Sequence, residues 1–159
     1  LKGIYADDGT PHDLFEAVAT VLPDSIADFE HRVRAVADFR KLPEATALAA
    51  ANKRISNILR KAEQPVPGAA DPDLFEMDAE RELYEQINRL AEKTRPMMAD
   101  ANYGATLQAL SGLRTVVDRF FDDVMVMADQ PAVRGNRLAL LASLSRQFLQ
   151  VADLSRLQA

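Results

Sequence analysis

Residues 44–62 of the chain are EATALAAANKRISNILRKA, a pattern that indicates an amphipathic α-helix. At about 100° per residue, the apolar side chains of this stretch, among them Leu48 and Ile55, gather on one side of the helix. The opposite arc of roughly 120° is polar and basic. It carries Lys53, Arg54, Asn57, Arg60 and Lys61. Because the apolar side belongs in a core, the basic side is predicted to face outward.

The basic side of this helix carries a single sign of charge. A solvated helix usually mixes signs, since opposite charges four residues apart stabilise it. The only acid of the stretch is Glu44, at its start, where the helix dipole favours a negative charge. We interpret the stretch as a phosphate-facing helix carried by a helical scaffold. The alternative is an ordinary surface helix that happens to be basic, because clusters of Lys and Arg are a weak motif.

The charges of the chain are segregated along the sequence. The formal net charge of −5 argues against a simple nucleic-acid-binding protein, but the distribution matters more than the total. Residues 31–61 hold eight Lys or Arg against two acids, a net of +6. Residues 63–85 hold eight acids against one Arg, a net of −7. This segregation predicts a molecule with one basic face.

The length of 159 residues fits one domain with a sizeable core, so we expect a single domain over residues 1–159. The sequence contains neither a run of about 18 apolar residues, which would indicate a membrane span, nor the pattern of a signal peptide. It has no Cys, which excludes disulfides and thiolate metal sites and suits a reducing cytosol. It starts at Leu1 rather than Met, so we expect it to be part of a longer polypeptide.

Helical spacing of apolar residues runs through the chain, and no segment alternates convincingly with period two. Residues 1–10 are predicted as a lead-in, and residues 63–74, with three Pro and one Gly, as a flexible loop. Because no heptad persists, the predicted fold is all-α, an irregular helical bundle. The predicted helices cover residues 11–22, 24–42, 44–62, 78–94, 102–110, 113–127 and 132–149, with a further turn over 151–157.

No catalytic motif is found in the sequence. It has no Gly-rich phosphate loop, no Gly-x-Ser-x-Gly and no zinc spacing. His12 and His31 lie on separate elements with no partner in view. Since a general base needs an identified partner, neither histidine is expected to be catalytic.

Two carboxylates, Asp118 and Asp122, stand four residues apart on one predicted helix and could together serve Mg²⁺. Ordinary ion pairs at the same spacing explain these acids better. Arg114 is four residues before Asp118, and Arg119 is four residues before Asp123. We therefore predict no metal site.

Three stretches outside the 63–110 region carry a family resemblance. They are FEHRVRAV (29–36) with LPEA (42–45), AANKRISNIL (50–59), and FFDDVMVMA (120–128) through NRLALL (136–141) to VAD (151–153). Together they resemble the C-terminal anticodon-binding domain of bacterial glycyl-tRNA synthetase beta subunits. The wider family is the all-α DALR anticodon-binding domain, shared with arginyl-tRNA synthetases. Its naming tetrapeptide, Asp-Ala-Leu-Arg, corresponds to residues 131–134 here, where Ala132 and Arg134 match.

This resemblance implies a bacterial cytoplasmic enzyme that joins glycine to its tRNA with ATP. It implies that this chain, a C-terminal part of the beta subunit, binds the anticodon stem-loop of tRNA(Gly). It also implies that no catalytic residue lies here, since the family places the aminoacylation site on the separate alpha subunit. ATP and Mg²⁺ would serve the full enzyme, with no cofactor in this chain. The expected partners are tRNA(Gly), the remainder of the beta subunit and the alpha subunit, with no membrane contact.

Anticodon loops are single-stranded, so a protein can contact the Watson–Crick edges of their bases. Every glycine anticodon offers two cytosines, whose amino donors and ring acceptors suit Arg, Lys and Asn side chains. We hypothesise that one group of basic residues holds phosphates, with Asn57 and Asn52 close to bases. This first group is Lys53, Arg54, Arg60 and Lys61.

Two further groups of residues are weaker candidates for tRNA binding. The second group is Arg32, Arg34 and Arg40. Arg32 and Arg40 flank the apolar stripe of their helix, where arginines either point toward a groove or cover apolar surface with their stems. The third group either binds tRNA or only caps and braces the last helix. Its members are Arg134, Asn136 and Arg137.

The rival interpretation is a helical module that docks protein rather than RNA. Its contact surfaces would be the apolar face over residues 116–127 and the acidic segment 63–85. The anticodon-binding domain of an arginyl-tRNA synthetase is a further alternative, and an enzyme active in this chain is the least supported.

Four methionines are expected to fill the core rather than bind a ligand. They stand at positions 97, 98, 125 and 127.

Overall fold

The computed structural model describes residues 11–157. This part of the chain holds seven α-helices, three short 3₁₀ turns and no strand, which confirms the predicted all-α fold. The lead-in predicted over residues 1–10 lies outside the described residues. The 3₁₀ turns are Pro72–Leu74, Ser111–Leu113 and Leu154–Arg156. The helices, numbered in chain order, are α1 (His12–Ala19), α2 (Ile26–Phe39), α3 (Ala45–Arg60), α4 (Asp78–Ala99), α5 (Tyr103–Leu110), α6 (Arg114–Asp123) and α7 (Pro131–Leu149).

Helix α7 lies at the centre of the bundle. Every residue from 135 to 141 is buried, so this helix is covered on all sides rather than along one stripe. Leu138, Leu140 and Leu141 supply most of its apolar surface there. Helices α3, α4 and α5 pack against it, and a single cluster of buried side chains joins residues from α1 to the final turn.

Polar residues cap the starts of two helices. The side-chain oxygen of Ser25 accepts a hydrogen bond from the amide of Asp28 at 3.0 Å and caps α2. Asn102 caps α5 by accepting from the amide of Ala105 at 3.2 Å. Both are residue types preferred at this position, because their side chains satisfy amides that have no partner within the helix.

The predicted ends of α1 and α4 are wrong. α1 ends at residue 19 rather than 22, because Leu22 turns the chain with a φ of 53° that no right-handed helix contains. Leu22 itself is exposed. α4 continues through Pro96 instead of stopping at residue 94. Pro96 lies exposed near the end of the helix, so its missing N–H costs one hydrogen bond whose acceptor carbonyl can turn to water.

The predicted helix over residues 113–127 stops at residue 123, and the chain becomes extended at Val124. In the following four residues burial alternates: Val124 and Val126 are buried, whereas Met125 and Met127 are exposed. This alternation places one side of the short non-helical segment on the core and the other in solvent. The expectation that these two methionines fill the core is therefore wrong.

The segment 63–74, predicted to be a flexible loop, lies along α7. The side-chain amide of Asn136 binds the backbone of Asp71 twice, accepting from its N–H at 2.5 Å and donating to its carbonyl at 3.0 Å. Gln64 donates to a carbonyl at the start of α7 at 3.1 Å. The contact is close, because a Cβ at Gly135 would stand 2.8 Å from the amide nitrogen of Gln64. Long-range hydrogen bonds therefore fix a segment that its composition marks as irregular.

A buried ion pair joins α7 to the start of α4. Arg137 donates to the carboxylate of Glu80 at 3.1 Å, and their side chains are only 6% and 0% exposed. The same guanidinium donates to the carbonyl of Met125 at 2.6 Å. Glu80 also accepts from the backbone amides of Glu76 and Met77, at 3.1 and 3.0 Å. The pair therefore connects α7, the α6–α7 link and the first turn of α4.

A second polar cluster joins α2, α5 and the end of α7. Arg32 donates to the carboxylate of Asp28 at 2.8 Å and to the carbonyls of Gln150 and Val151 at 2.7 and 2.9 Å. Its guanidinium lies 4.3 Å from the ring centroid of Tyr103, whose hydroxyl donates to Asp28. Burial raises the pKa of Asp28, but the hydrogen bonds from Tyr103 and Arg32 and the charge of Arg32 outweigh it, so this pKa lies below its ordinary value of 3.8. Burial and the bond to Asp28 raise the pKa of Tyr103.

We predict that Asp28→Asn lowers the free energy of unfolding by about 2 kcal/mol at neutral pH, because it removes charge-assisted hydrogen bonds. The lowered pKa of Asp28 means that its stabilisation is present above about pH 4 and is lost as the pH falls through the folded-state pKa. Urea unfolding of wild type and variant across this range measures the difference, which should shrink in acid. Asp38→Asn, at an exposed position, is the control. A difference that stays constant down to pH 2 would contradict the prediction.

We predict that Arg137→Met destabilises the chain by about 3–5 kcal/mol, because the carboxylate of Glu80 is left buried without its cation. The double variant Arg137→Met/Glu80→Gln should recover part of this loss, since Gln keeps an acceptor for the two backbone amides and removes the charge. Chemical denaturation of the three chains measures the effect. If the free energy of unfolding of Arg137→Met lies within about 1 kcal/mol of that of wild type, the pair does not hold the fold.

Candidate nucleic-acid interface

Helix α3 presents its basic side to solvent, in agreement with the predicted pattern. The apolar side is inside, where Leu48 and Ile55 are almost fully buried. The side chains of the first group of candidates are all exposed. They are Lys53, Arg54 and Arg60 on the helix and Lys61 directly after it.

One edge of this basic side borders a groove of about 270 Å³ between α3 and the end of α2. Arg40, from the second group of candidates, and Lys53 are its two cations. Arg40 also donates to the carboxylate of Asp13 at 3.0 Å, which holds its guanidinium in place. The remaining lining is small or apolar and consists of Ala45, Thr46, Ala49, Ala50 and Leu157.

A second depression of about 230 Å³ continues from Lys53 toward the end of α3. Arg60 lies on one side of it and Arg156, from the last 3₁₀ turn, on the other. Its other lining residues are Ser56, Asn57, Asp153 and Ser155. We call the two depressions together the basic groove, and its four cations are Arg40, Lys53, Arg60 and Arg156.

Arg156 is the residue of this groove that sequence reasoning missed. The carboxylate of Asp153 accepts from the amide of Ser155 at 3.1 Å and forms the turn that carries Arg156. The amide of Asp153 donates to the carbonyl of Ala17 at 2.8 Å, and the turn packs against α3. The Asp-x-Ser pattern predicts a turn, but nothing local in the sequence shows that the turn lies beside α3.

Asn57 lies half-buried in the basic groove, where its environment limits what it can bind. Its side-chain carbonyl accepts from Arg60 at 2.6 Å. The two N–H groups of the amide remain as donors. Asn57 therefore offers hydrogen bonds to an acceptor such as a base carbonyl.

Arg54 lies on the other edge of the basic side. Its guanidinium stacks on the ring of Phe121 from α6, with 4.2 Å between the guanidinium carbon and the ring centroid. It lines a separate groove between α3 and α6. Arg54 is therefore exposed but does not face the same groove as Lys53.

Besides Arg54, four candidates from the first and second groups lie outside the basic groove. One of them is Lys61, which is exposed after α3 but lines neither depression. Asn52 is buried and donates to the carbonyl of Leu48 at 2.9 Å, so it cannot contact a base. Asn52 is buried because, at about 100° per residue of α3, it falls about 100° from Lys53, on the apolar side of the helix. Arg32 is used inside the fold, in the cluster with Asp28. Arg34 is exposed on α2 but is not among the residues that line the groove.

The third group braces the last helix rather than forming a surface. Arg137 is buried in its pair with Glu80, and Asn136 is buried against the 63–74 segment. Arg134 donates to Gln64 at 2.5 Å and to the carbonyl of Ala128 at 3.0 Å. All three side chains bind other parts of the fold, so they do not belong to the candidate interface.

Two of the three acids of α6, Asp118 and Asp123, form ion pairs, as the spacing predicts. Arg114 lies 3.4 Å from Asp118, and Arg119 lies 3.5 Å from Asp123 and 2.5 Å from Glu82. The hydrogen bond and charge of Glu82 raise the pKa of Arg119. Among residues 11–157, no group of three or more acids and histidines is arranged to hold a metal ion. No helix in the same range is long and apolar enough to cross a membrane.

Of the two surfaces proposed for a protein-docking module, the apolar face lies largely inside the fold and the acidic segment lies largely outside it. Val117, Phe120 and Val124 are buried, so the apolar face over residues 116–127 belongs mainly to the core. Only its last methionines are strongly exposed, with Met125 71% accessible. In the acidic segment Glu80 is buried, but the other seven acids are not, and six of them are exposed.

Comparison with known proteins agrees with this architecture. The family described as the DALR anticodon binding domain matches residues 48–154, from α3 to the last 3₁₀ turn. The glycine–tRNA ligase beta subunit of Shewanella sediminis (strain HAW-EB3) is 51% identical over 154 residues, and that of Hahella chejuensis (strain KCTC 2396) is 47% identical over 155 residues. Each match covers 97% of this chain and 22% of the relative. The family match covers most of the chain, and the chain therefore belongs to the DALR anticodon binding domain family.

Proposed function

We propose that the chain is the tRNA anticodon-binding domain of a bacterial glycine–tRNA ligase beta subunit. The observation that carries this proposal is the basic groove, in which four cations from α2, α3 and the last turn lie around one path. The beta-subunit names of the relatives support glycine over arginine as the amino acid. The chain spans only 22% of the length of these relatives, so the ligase activity belongs to a larger protein.

In this proposal Lys53 holds a phosphate at the centre of the basic groove, where the two depressions meet. Arg40 and Arg156 hold the phosphates on either side of it, and Arg60 fixes the carbonyl of Asn57. The remaining amide N–H groups of Asn57 donate to an acceptor on a nearby base. Phosphate contacts of this kind set the position of an RNA strand but carry no base specificity by themselves.

The wider setting is part of the same proposal. The full protein would be a cytoplasmic ligase that uses ATP and Mg²⁺ to join glycine to tRNA(Gly), with the reaction on another subunit or domain. The remainder of the beta subunit and the alpha subunit would be the protein partners of this chain. We assign no residue among 11–157 to the aminoacylation reaction.

We predict that Lys53→Ala weakens binding of anticodon stem-loops of any sequence about equally and reduces the salt slope of the association constant by about 0.7–1, because one phosphate contact is lost. Fluorescence anisotropy with labelled stem-loops at several salt concentrations measures both quantities. Lys93→Ala is the matched control, since Lys93 is an exposed lysine on α4 that lines neither depression.

An unchanged slope in Lys53→Ala would contradict the phosphate assignment. An equal loss in Lys93→Ala would show that general charge, not the basic groove, governs binding. Failure of the folded wild-type chain to bind any stem-loop at low salt would favour the protein-docking interpretation, for which the exposed Met125 and Met127 are the remaining apolar surface.

A further inference from the structure

The groove on the other edge of α3 has no role in the function proposed above. It lies between α3 and α6 and has a volume of about 420 Å³. Three alanines form its α3 side, at positions 47, 50 and 51. The remaining lining residues are Arg54, Asp118, Phe121 and Asp122. We call it the alanine groove.

Arg54 and Phe121 form a flat platform at this groove. The guanidinium lies on the aromatic ring at 4.2 Å, and the ring is itself held by an edge-on contact with buried Phe120, with 5.6 Å between the centroids. One side of the guanidinium is therefore covered by the ring. The opposite face of Arg54 is free to stack, and a guanidinium plane is a common stacking partner for a splayed RNA base.

The acids of the alanine groove select the kind of base. Asp122 makes no hydrogen bond or ion pair with the described residues, and Asp118 has only the 3.4 Å contact with Arg114. An ionised carboxylate accepts hydrogen bonds and cannot donate them. It therefore suits an exocyclic amino group, such as that of cytosine. Uracil has a carbonyl oxygen at the same ring position, which would face the carboxylate and be repelled.

The alanine groove adjoins the basic groove. Ala50 lines both, so the ridge of α3 between them carries a methyl group at that point rather than a long side chain. An RNA strand whose phosphates lie at Lys53 and Arg40 can therefore pass a base over Ala50 into the alanine groove. The two grooves thus divide the contacts between phosphates on one side of α3 and a base on the other.

We propose that the alanine groove is a nucleobase pocket, in which an unstacked base with an exocyclic amino group stacks on Arg54 and donates that group to Asp122. This inference rests on the proposed function, which makes the base one of the two cytosines of a glycine anticodon. Asp118 is the neighbouring acceptor, and the alanines leave room for the flat ring. The pocket supplies base discrimination that the phosphate contacts of the basic groove lack.

The test compares two stem-loops, one with the glycine anticodon and one with uracils in place of its two cytosines. Fluorescence anisotropy of the folded 159-residue chain gives the ratio of the two affinities. Wild type should prefer the cytosine loop by about tenfold, the size of one charge-assisted hydrogen bond. Asp122→Asn should reduce the ratio to about twofold or less, because the new amide can donate to the uracil carbonyl. Asp123→Asn, which removes the neighbouring charge outside the groove, should keep the wild-type ratio.

The ratio is the decisive quantity, because removing either acid also lowers the repulsion of RNA phosphates and strengthens binding to both loops. Arg54→Lys keeps the charge and removes the flat platform. This substitution should weaken the binding of both stem-loops about tenfold, with little change in the salt slope of the association constant.

A wild-type preference that survives Asp122→Asn, with salt-sensitive binding intact, would overturn the nucleobase pocket and leave the proposed function standing. If Asp123→Asn changed the affinity ratio as much as Asp122→Asn, the nucleobase pocket would also be overturned, since the loss of negative charge alone would explain the effect. Failure of the folded wild-type chain to bind either loop would overturn the pocket and the proposed function together. Circular dichroism establishes that each variant is folded.

Discussion

The buried pair between Arg137 and Glu80 is the constraint on which the rest of the structure depends. A charge without a partner in this interior would cost several kcal/mol, so the two side chains must meet if the chain is to fold. When they meet, the start of α4, the α6–α7 link and α7 are brought to one place. Helix α7 is then central, and α3 packs on it with its basic side outward. This arrangement of the helices sets the positions of both grooves.

Sequence periodicity predicted the helices and the exposed side of α3, because both depend on residues that are close along the chain. It could not assign roles to the arginines. In the sequence Arg137 and Lys53 are both cations on amphipathic or apolar helices. Only the fold shows that Arg137 faces a carboxylate 57 residues away and that Lys53 faces solvent. Where a side chain has a distant partner, local pattern carries no information about it.

Two other differences have physical causes of the same kind. The 63–74 segment is largely irregular, as its composition predicts, but composition gives no sign that Asn136 binds its backbone from a helix 65 residues later. Residues 124–127 alternate between core and solvent, but four residues are too few for this period to be distinguished from a helix end. Asn52 is different, because its angle on the α3 plot already placed it among the buried residues. That assignment was available from the sequence alone.

The bonds from Arg32 to the carbonyls of Gln150 and Val151 have a consequence for the thermodynamics of the tRNA binding proposed above. They attach the end of the chain to α2 just before the turn that carries Arg156. Conformational freedom of this terminal segment is thereby lost during folding, not when a ligand arrives. A chain lacking Arg32 would bind through the same contacts with a larger entropic penalty and an enthalpy close to that of the intact chain. An alanine scan that measured affinity alone would then score Arg32 as a contact residue, although it lies behind the surface and acts by preorganising it.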